Sequence, residues 1–484
     1  MIATQQNFID GQWRASRTGE TFPNVNPANR EEVLGHFQSS GAEDMVEAIE
    51  AAALAFEGWR KVPAPGRAAV AARVLDAMRA EAEQFARAIT LENGKTLREG
   101  RAEVAAAVSE LDFQIGQAAR LGGVTVPSRT EGVLAYLRRD PLGVVSVITP
   151  WNFPLNVACR KMFPALIAGN TVVLKPATFT PLTAVLLMGL LEAAELPPGV
   201  ANLVTGTGAK VGAPLSEHPA VRGLTFTGST EVGKALYARA SASGIKAQVE
   251  MGGKNAAVVL GDADLELAAR DVVFGAFSCA GQWCTSTSRA IVERSVLEEF
   301  TAMVVKRAEA MKVGNGLDEG VDMGPVAGRS QHEKILGHIE QGKREGARLL
   351  AGGQACTEPP LDKGYFVQPT VFDRVRPQMS IAREEIFGPV LCIIEAEDFE
   401  HALTLSNDSA YGLASSIYTN SLDKAQRFVE ESRVGLCHVN MSTAYKEPQL
   451  PFGGRKDSGA GPPEAGDEGV EFFTEHKAVY VRHV

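Results

Sequence analysis

At 484 residues and roughly 150 residues per domain, the chain is long enough for about three structural units, which excludes a single small binding module. Hydrophobic residues make up 45% and charged residues 22%, enough apolar material for a packed core and too little charge for disorder. Against 48 Lys and Arg stand 58 Asp and Glu; no stretch gathers the bases into a tract suited to a phosphate backbone, so nucleic acid is not expected as a partner.

Residues 1–13 lack the basic start and apolar stretch of an export signal. Alanine-rich stretches at 42–56, 66–94 and 99–121 carry apolar residues near a 3.6 period and predict successive helices. Two short strand-like runs, 124–126 and 133–138, flank a polar turn and predict a projecting hairpin. From residue 142 short β-branched runs alternate with helical stretches, with strands expected at 144–149, 171–174, 201–204, 223–226 and 256–260. That alternation predicts a parallel sheet covered by helices. The richest apolar run, 182–194, is broken by Thr183 and Glu192 and reads as a soluble helix, so no membrane is expected. A second α/β lobe is expected from about Gly281, with strands at 289–292, 390–394 and 416–418. The β-prone tail 478–484 has no evident partner strand, and pairing with the hairpin across a subunit boundary is the expectation. Six scattered cysteines without paired spacing suit a reducing, cytoplasmic setting, and no metal site is expected.

Four stretches carry potential chemistry. In residues 277–289 small and polar side chains surround Cys279 and Cys284 at what reads as the opening of a helix, where the dipole and free N–H groups favour a thiolate. A small buried hydrophobe is the plainer reading of any single cysteine. Glu250 ends the run 246–249 and precedes Gly252 and Gly253, so it reads as a general base or as a surface glutamate before a turn. Asn152, between Pro150 and Pro154 at the carboxyl end of a parallel strand, reads as an oxyanion donor or as a helix cap. The segment 225–233 leads a strand through Gly228 and Ser229 into a helix, a geometry that offers N–H groups to a pyrophosphate. Gly206 and Gly208 make a weaker glycine turn, and Lys175 ends a strand where an amine can meet a ribose or its phosphate.

In this order, with the stretches 8–13, 384–389, 451–454 and 472–474, these motifs resemble the aldehyde dehydrogenase superfamily over nearly the whole chain. The resemblance implies an α/β fold with a Rossmann-type cofactor domain (1–120 and 142–250), an α/β catalytic domain (251–447) and a small β element for oligomerisation (121–141 and 448–484). It implies Cys284 as nucleophile, Glu250 as base, Asn152 as oxyanion donor and Lys161 near the oxyanion site. For the dinucleotide it implies Lys175, Gly228, Ser229, Glu385 and Phe387, together with Thr149, Trp151, Gly208 and Met251. The implied product is a free acid, since members that acylate coenzyme A typically lack the glutamate. NAD-selective members commonly carry a Glu three residues after the lysine; Thr178 stands there, and both NAD and NADP are expected to be accepted.

On the substrate side Arg160 resembles the carboxylate-binding arginine of succinate semialdehyde dehydrogenases, but Ser278 stands where those enzymes place a second arginine. Lys446, in the loop before Phe452, is a candidate to complete the clamp. The 440–452 loop and its companion motifs resemble the 2-oxoglutarate semialdehyde subgroup, which makes a carboxylate-bearing semialdehyde the expected substrate. Trp283, immediately before Cys284, either narrows the acyl tunnel or stacks on an aromatic aldehyde, so a benzaldehyde-type substrate is the alternative; Phe153 is a further candidate on the substrate side. An esterase using the same Cys and Glu without redox chemistry is the alternative from another class, and a non-catalytic protein on this fold is the third. Hairpin and tail point to a homodimer or homotetramer.

Overall fold

The structure, a computed structural model, describes residues 3–483; Met1, Ile2 and Val484 lie outside the described residues. Two large sheets organise the chain. In the first, five parallel strands run in the order Ala201–Leu203, Thr171–Lys175, Val144–Ile148, Val221–Thr227 and Lys246–Glu250. Chain order therefore reverses between Val144–Ile148 and Val221–Thr227, and such a reversal opens a crevice at the carboxyl ends of the strands. Short antiparallel strands extend both sides: Asn7–Ile9 and then the edge strand Gln12–Arg14 on one, and Gly459–Ala460 on the other.

In the second sheet Asn255–Val259 lies between Thr287–Glu293 and Ala414–Tyr418, all parallel. Val390–Ala396, Thr370–Asp373 and antiparallel Arg348–Ala351 extend one side, and Leu436–Val439 the other. The strand expected at 256–260 thus opens the second sheet instead of continuing the first. The reason is the Gly252–Gly253 crossing, which carries the chain from the carboxyl end of Lys246–Glu250 to the amino end of Asn255–Val259. The two sheets present opposite ends to the space between them.

Helices pack as the periodicity predicts, with one break. The stretch read as a helix over 66–94 is two, Ala64–Ala80 and Ala82–Asn93, which divide at Glu81. The helix Pro154–Ala168 is buried along its whole length. Its charged residues, Arg160 and Lys161, are therefore held out of water by tertiary packing and must find partners inside. No helix among the described residues is long and apolar enough to cross a membrane.

The tail finds its partner within the chain. Thr474–Arg482 pairs antiparallel with Val133–Pro141 over nine residue pairs, and Thr125–Val126 completes a three-stranded sheet. The expected pairing across a subunit boundary is thus replaced by a contact in cis, since this strand matches the length of the hairpin strand it meets. Nor does all of 448–484 belong to that element. Gly459–Ala460 joins the first sheet, Arg455–Lys456 pairs with Tyr411–Gly412, and Phe472 and Phe473 are buried in the first lobe's core.

Candidate active site

A cavity of about 1010 Å³ lies between the sheets. Cys284, Asn152, Arg160, Trp283, Lys446 and Phe452 line it, as do Trp151, Gly228, Ser229, Met251, Glu385 and Phe387. Cys284 does not open a helix, as its sequence context suggested. The helix Leu265–Phe277 ends before it, and Cys279, Ala280 and Gly281 take positive φ values of 52°, 53° and 65°. This tight turn reverses the chain toward Thr287–Glu293; a Cβ on Gly281 would sit 2.2 Å from the Gly388 carbonyl oxygen. Asn255 then fixes the loop, its Nδ2 donating to the carbonyls of Cys284 and Ser286, each at 2.8 Å. Without a helix dipole, burial dominates and pushes the half-buried Cys284 thiol up to about 12; Glu250 adds to this, and Arg160 opposes it.

Glu250 ends its strand with the carboxyl turned toward the Pro451–Gly454 stretch, where Oε2 accepts the Gly454 N–H at 3.0 Å and Oε1 is buried without a partner. It lines a neighbouring cavity of about 230 Å³ with Glu464, not the wall that holds Cys284. The three groups expected in one tunnel are therefore divided: thiol and amide share the main cavity, and the carboxyl stands behind it. Burial holds the Glu250 carboxyl well above the usual carboxylate range and the Glu464 charge adds to this, while the Gly454 N–H, Lys161 and Arg160 act the other way.

Asn152 is not a helix cap. Its Nδ2 donates to the Gln282 carbonyl at 3.1 Å, two residues before Cys284, which leaves its second N–H uncommitted. Its own carbonyl accepts the Lys95 ammonium at 2.7 Å, and Lys95 pairs with buried Glu103 at 2.7 Å. The cap of Pro154–Ala168 comes from Glu103, which accepts the N–H groups of Leu155 and Asn156 at 3.0 and 3.3 Å. One buried ion pair thus positions both the amide and the helix that carries Arg160.

Lys161 does not face the main cavity. It donates to Thr225 Oγ1 at 2.8 Å and pairs with Glu464, away from the main cavity where the expected oxyanion donor Asn152 stands. Arg160 does line the cavity, 5% exposed, with its guanidinium carbon 4.5 Å from the Phe452 ring centre. Glu110 approaches Arg160 Nε at 3.3 Å, and Glu464 approaches its Nη1 at 3.7 Å. Lys446 is not free in solvent: it pairs with the same Glu110, and burial lowers its ammonium to about 8. Glu110 thus stands between two cations, and Arg160 between two carboxylates. Ser278 lies on the wall, and Trp283 packs against Phe153 and Phe274 with ring centres 5.0 and 6.4 Å apart.

On the opposite side the glycine pair has a visible purpose. A Cβ on Gly252 would fall 2.2 Å from Glu385 Oε2, and the Gly253 N–H donates to Glu385 Oε1 at 2.8 Å. Phe387, with φ 56°, meets Trp151 edge-on at 5.3 Å. Thr149, Lys175, Thr178 and Gly208 do not line the main cavity; they sit at or beyond the carboxyl ends of the neighbouring strands. Lys175 is 7% exposed, donates only to the Pro176 carbonyl at 2.9 Å, and burial lowers its ammonium to about 8. A buried amine with so little neutralisation suits an incoming hydroxyl or phosphate oxygen, and across Val144–Ile148 from it Gly228 and Ser229 lead from the strand Val221–Thr227 into the helix Thr230–Ala242. These residues fit a dinucleotide.

Residues 13–479 match the aldehyde dehydrogenase family. The chain belongs to that family. It is 43% identical to the alpha-ketoglutaric semialdehyde dehydrogenase of Bacillus subtilis (strain 168), over 99% of this chain and 98% of that one. It is 41% identical to the 2,5-dioxopentanoate dehydrogenase of Saccharolobus solfataricus, over 96% of each. A betaine aldehyde dehydrogenase from Staphylococcus aureus, solved in complex with NAD+, superposes with a TM-score of 0.96 at 35% identity, covering 99% of this chain and 95% of that one. The protein is an aldehyde dehydrogenase with the α/β fold of that family.

Several residues of this aldehyde dehydrogenase site escape a reading of the sequence. Lys95, Glu99 and Glu103 lie on the helical layer, where charged residues look like a solvated face; yet Glu103 is 2% and Lys95 1% exposed, and Glu99 accepts the Cys279 N–H at 2.7 Å. The Thr96–Glu99 capping box marks the helix start but not its target. Glu110 and Glu464 give no local signal at all.

Proposed function

We propose that the enzyme oxidises a semialdehyde bearing a terminal carboxylate, of the 2-oxoglutarate semialdehyde class, to the diacid, with NAD as acceptor and NADP also accepted. The observation that carries this reading is the pairing of Arg160 and Lys446 across Glu110 in the wall that also holds Cys284. A substrate carboxylate there gains two charge-assisted hydrogen-bond donors. The names of the two curated relatives support the same class.

The chemistry begins with passage of the Cys284 proton to water and attack of the thiolate on the aldehyde carbon. The free N–H of Asn152 then meets the oxyanion, held in place by Gln282 and Lys95. NAD, when bound, supplies the acceptor for the hydride that this carbon gives up, leaving a thioester on Cys284. Glu250 takes a proton from the water that opens the thioester, the Cys284 thiolate is the leaving group, and the proton then passes from Glu250 to solvent. To do so its carboxyl rotates away from the Gly454 N–H into the main cavity. Lys161 acts from behind as the counter-charge to Glu464, and Trp283 with Phe153 narrows the acyl passage. Thr149, Trp151, Lys175, Thr178, Gly208, Gly228, Ser229, Met251, Glu385 and Phe387 form the dinucleotide side, with the first-sheet unit as its domain and the second as the catalytic one.

A homodimer or homotetramer is the proposed assembly, built on the hairpin and tail sheet, whose exposed apolar residues include Val124, Val126 and Tyr480. The free cysteines suit a cytoplasmic location. The deciding experiment compares kcat/KM for 2-oxoglutarate semialdehyde, succinate semialdehyde and benzaldehyde with each dinucleotide. The reading expects the first to lead; benzaldehyde in front, or no reduced dinucleotide with any aldehyde, defeats it.

A further inference from the structure

Shortly before the nucleophile, three consecutive residues adopt backbone angles that side chains resist: φ is 52° at Cys279, 53° at Ala280 and 65° at Gly281. Only the third is a glycine. A turn of this kind persists only where its surroundings hold it in place. At its far end the Cys279 carbonyl accepts both the backbone N–H and the side-chain Nε2 of Gln282, at 3.1 and 3.2 Å, and Gln282 Oε1 accepts the Ala327 N–H at 2.9 Å. At its near end the holder is Glu99, whose Oε1 accepts the Cys279 N–H at 2.7 Å.

Glu99 stands on a different element, in the first turn of the helix Leu97–Gln117, 180 residues away along the chain. Its other oxygen accepts the Thr96 N–H at 2.8 Å. One carboxylate thus serves two backbone donors, which requires an acceptor on both arms of the group. A carboxamide has one oxygen and would turn its own N–H toward the second donor. Gln282 carries the placement forward: its carbonyl fixes Asn152 Nδ2 at 3.1 Å, and Cys284 follows two residues later. Sulfur and amide are therefore registered to each other through the turn that Glu99 holds.

We propose that Glu99 is a positioning residue for the first chemical step: by keeping the Cys279 turn left-handed it sets the Cys284 sulfur against the Asn152 amide. This rests on the roles given to Cys284 and Asn152 above. Without the carboxylate the Cys279 N–H loses its partner, Cys279 and Ala280 are released toward negative φ, and the Gln282 carbonyl moves with them. A reacting geometry lost by about 1 Å costs on the order of 100-fold in rate. The loss falls on the reacting atoms, so it is the same for charged and uncharged aldehydes.

The test measures kcat/KM for 2,5-dioxopentanoate and pentanal, the dinucleotide KM and the unfolding temperature in the wild type, Glu99→Gln, Thr96→Val and the double variant Glu99→Gln with Ala280→Gly. Glu99→Gln should lower kcat/KM for both aldehydes by roughly tenfold to 100-fold and leave the dinucleotide KM within about twofold. Thr96→Val removes the hydroxyl that accepts the Glu99 N–H at 3.3 Å but spares the turn; it should lower the unfolding temperature and keep kcat/KM within about twofold. The double variant should regain about threefold or more of the lost kcat/KM, because glycine takes a φ near 53° without strain. Unchanged kcat/KM in Glu99→Gln, the same loss in Thr96→Val, or no recovery with the glycine each makes Glu99 a helix cap alone and overturns the proposal. Should Glu99→Gln not fold, Glu99→Asp, too short to span both donors, is read in the same way. Failure of the underlying reading is distinct: Cys284→Ala then keeps its turnover in an otherwise wild-type chain.

Discussion

The two halves of the cavity are finished to different degrees. On the dinucleotide side the Glu385 carboxylate rests in a cradle shaped by Gly252 and takes the Gly253 N–H, so its position is set by backbone. On the acyl side polar atoms of the wall stand open: Arg160 Nε and Oδ1 of Asn156 are buried without hydrogen bonds. Buried polar groups are rarely left unpaired, so the open half is where substrate atoms and water complete the structure. A family shares the cradle because the cofactor is common to it; the open half can differ between members because substrates do.

The largest effect should come from the group between the halves. Cys284→Ala should reduce turnover by roughly 10⁴-fold or more with every aldehyde, since a covalent route loses its nucleophile; residual reduction of dinucleotide near wild-type rate would remove sulfur from the mechanism. Arg160→Met tests the open half alone. It should lower kcat/KM for carboxylate-bearing semialdehydes by about 100-fold, the value of a charge-assisted pair, and leave pentanal within about threefold. An equal loss with pentanal would make Arg160 a structural partner of Glu110.

Gly252→Ala addresses the cradle. Its new methyl group would overlap Glu385 Oε2, so the dinucleotide KM should rise by roughly tenfold, about the worth of one displaced charge-assisted hydrogen bond. Alkylation of Cys284 by iodoacetamide without dinucleotide should stay near wild type. Slowed alkylation would mean that the disturbance has spread through Gly253, which lies against the Cys284 carbonyl.

The same contrast governs what was legible in the sequence. The strands 144–149, 171–174 and 223–226 were readable because β-branched runs between helical stretches have few other outcomes. Cys284, Asn152, Glu385 and both glycines were readable because their motifs are local. The lobe boundary was blurred because a continuous apolar run at 256–260 does not announce which sheet it joins. Cys284 was misplaced on a helix because small polar residues suit a helix start and a tight turn equally, and only the three positive φ values distinguish them. Glu110, Glu464, Lys95 and Glu103 were hidden because each acquires its role by burial against elements far away in the chain.

The smallest expected effect is a shift, and it probes the wall between the cavities. Both Glu250 and Cys284 are held protonated by burial, and both must lose a proton for their proposed tasks, so kcat/KM should rise with pH on its acid side. The Glu464 charge pushes both groups upward. Glu464→Gln removes that push, the carboxyl and thiol deprotonate more readily, and the rising limb should move to lower pH by roughly one unit or less. Lys161→Met has the opposite sign for Glu250, because it removes a cation that favours the carboxylate, and should move the limb to higher pH. Profiles taken with saturating dinucleotide read both shifts. Displacements in the same direction would show that Glu464 and Lys161 act through packing, whereas opposed ones make the second cavity an electrostatic extension of the first.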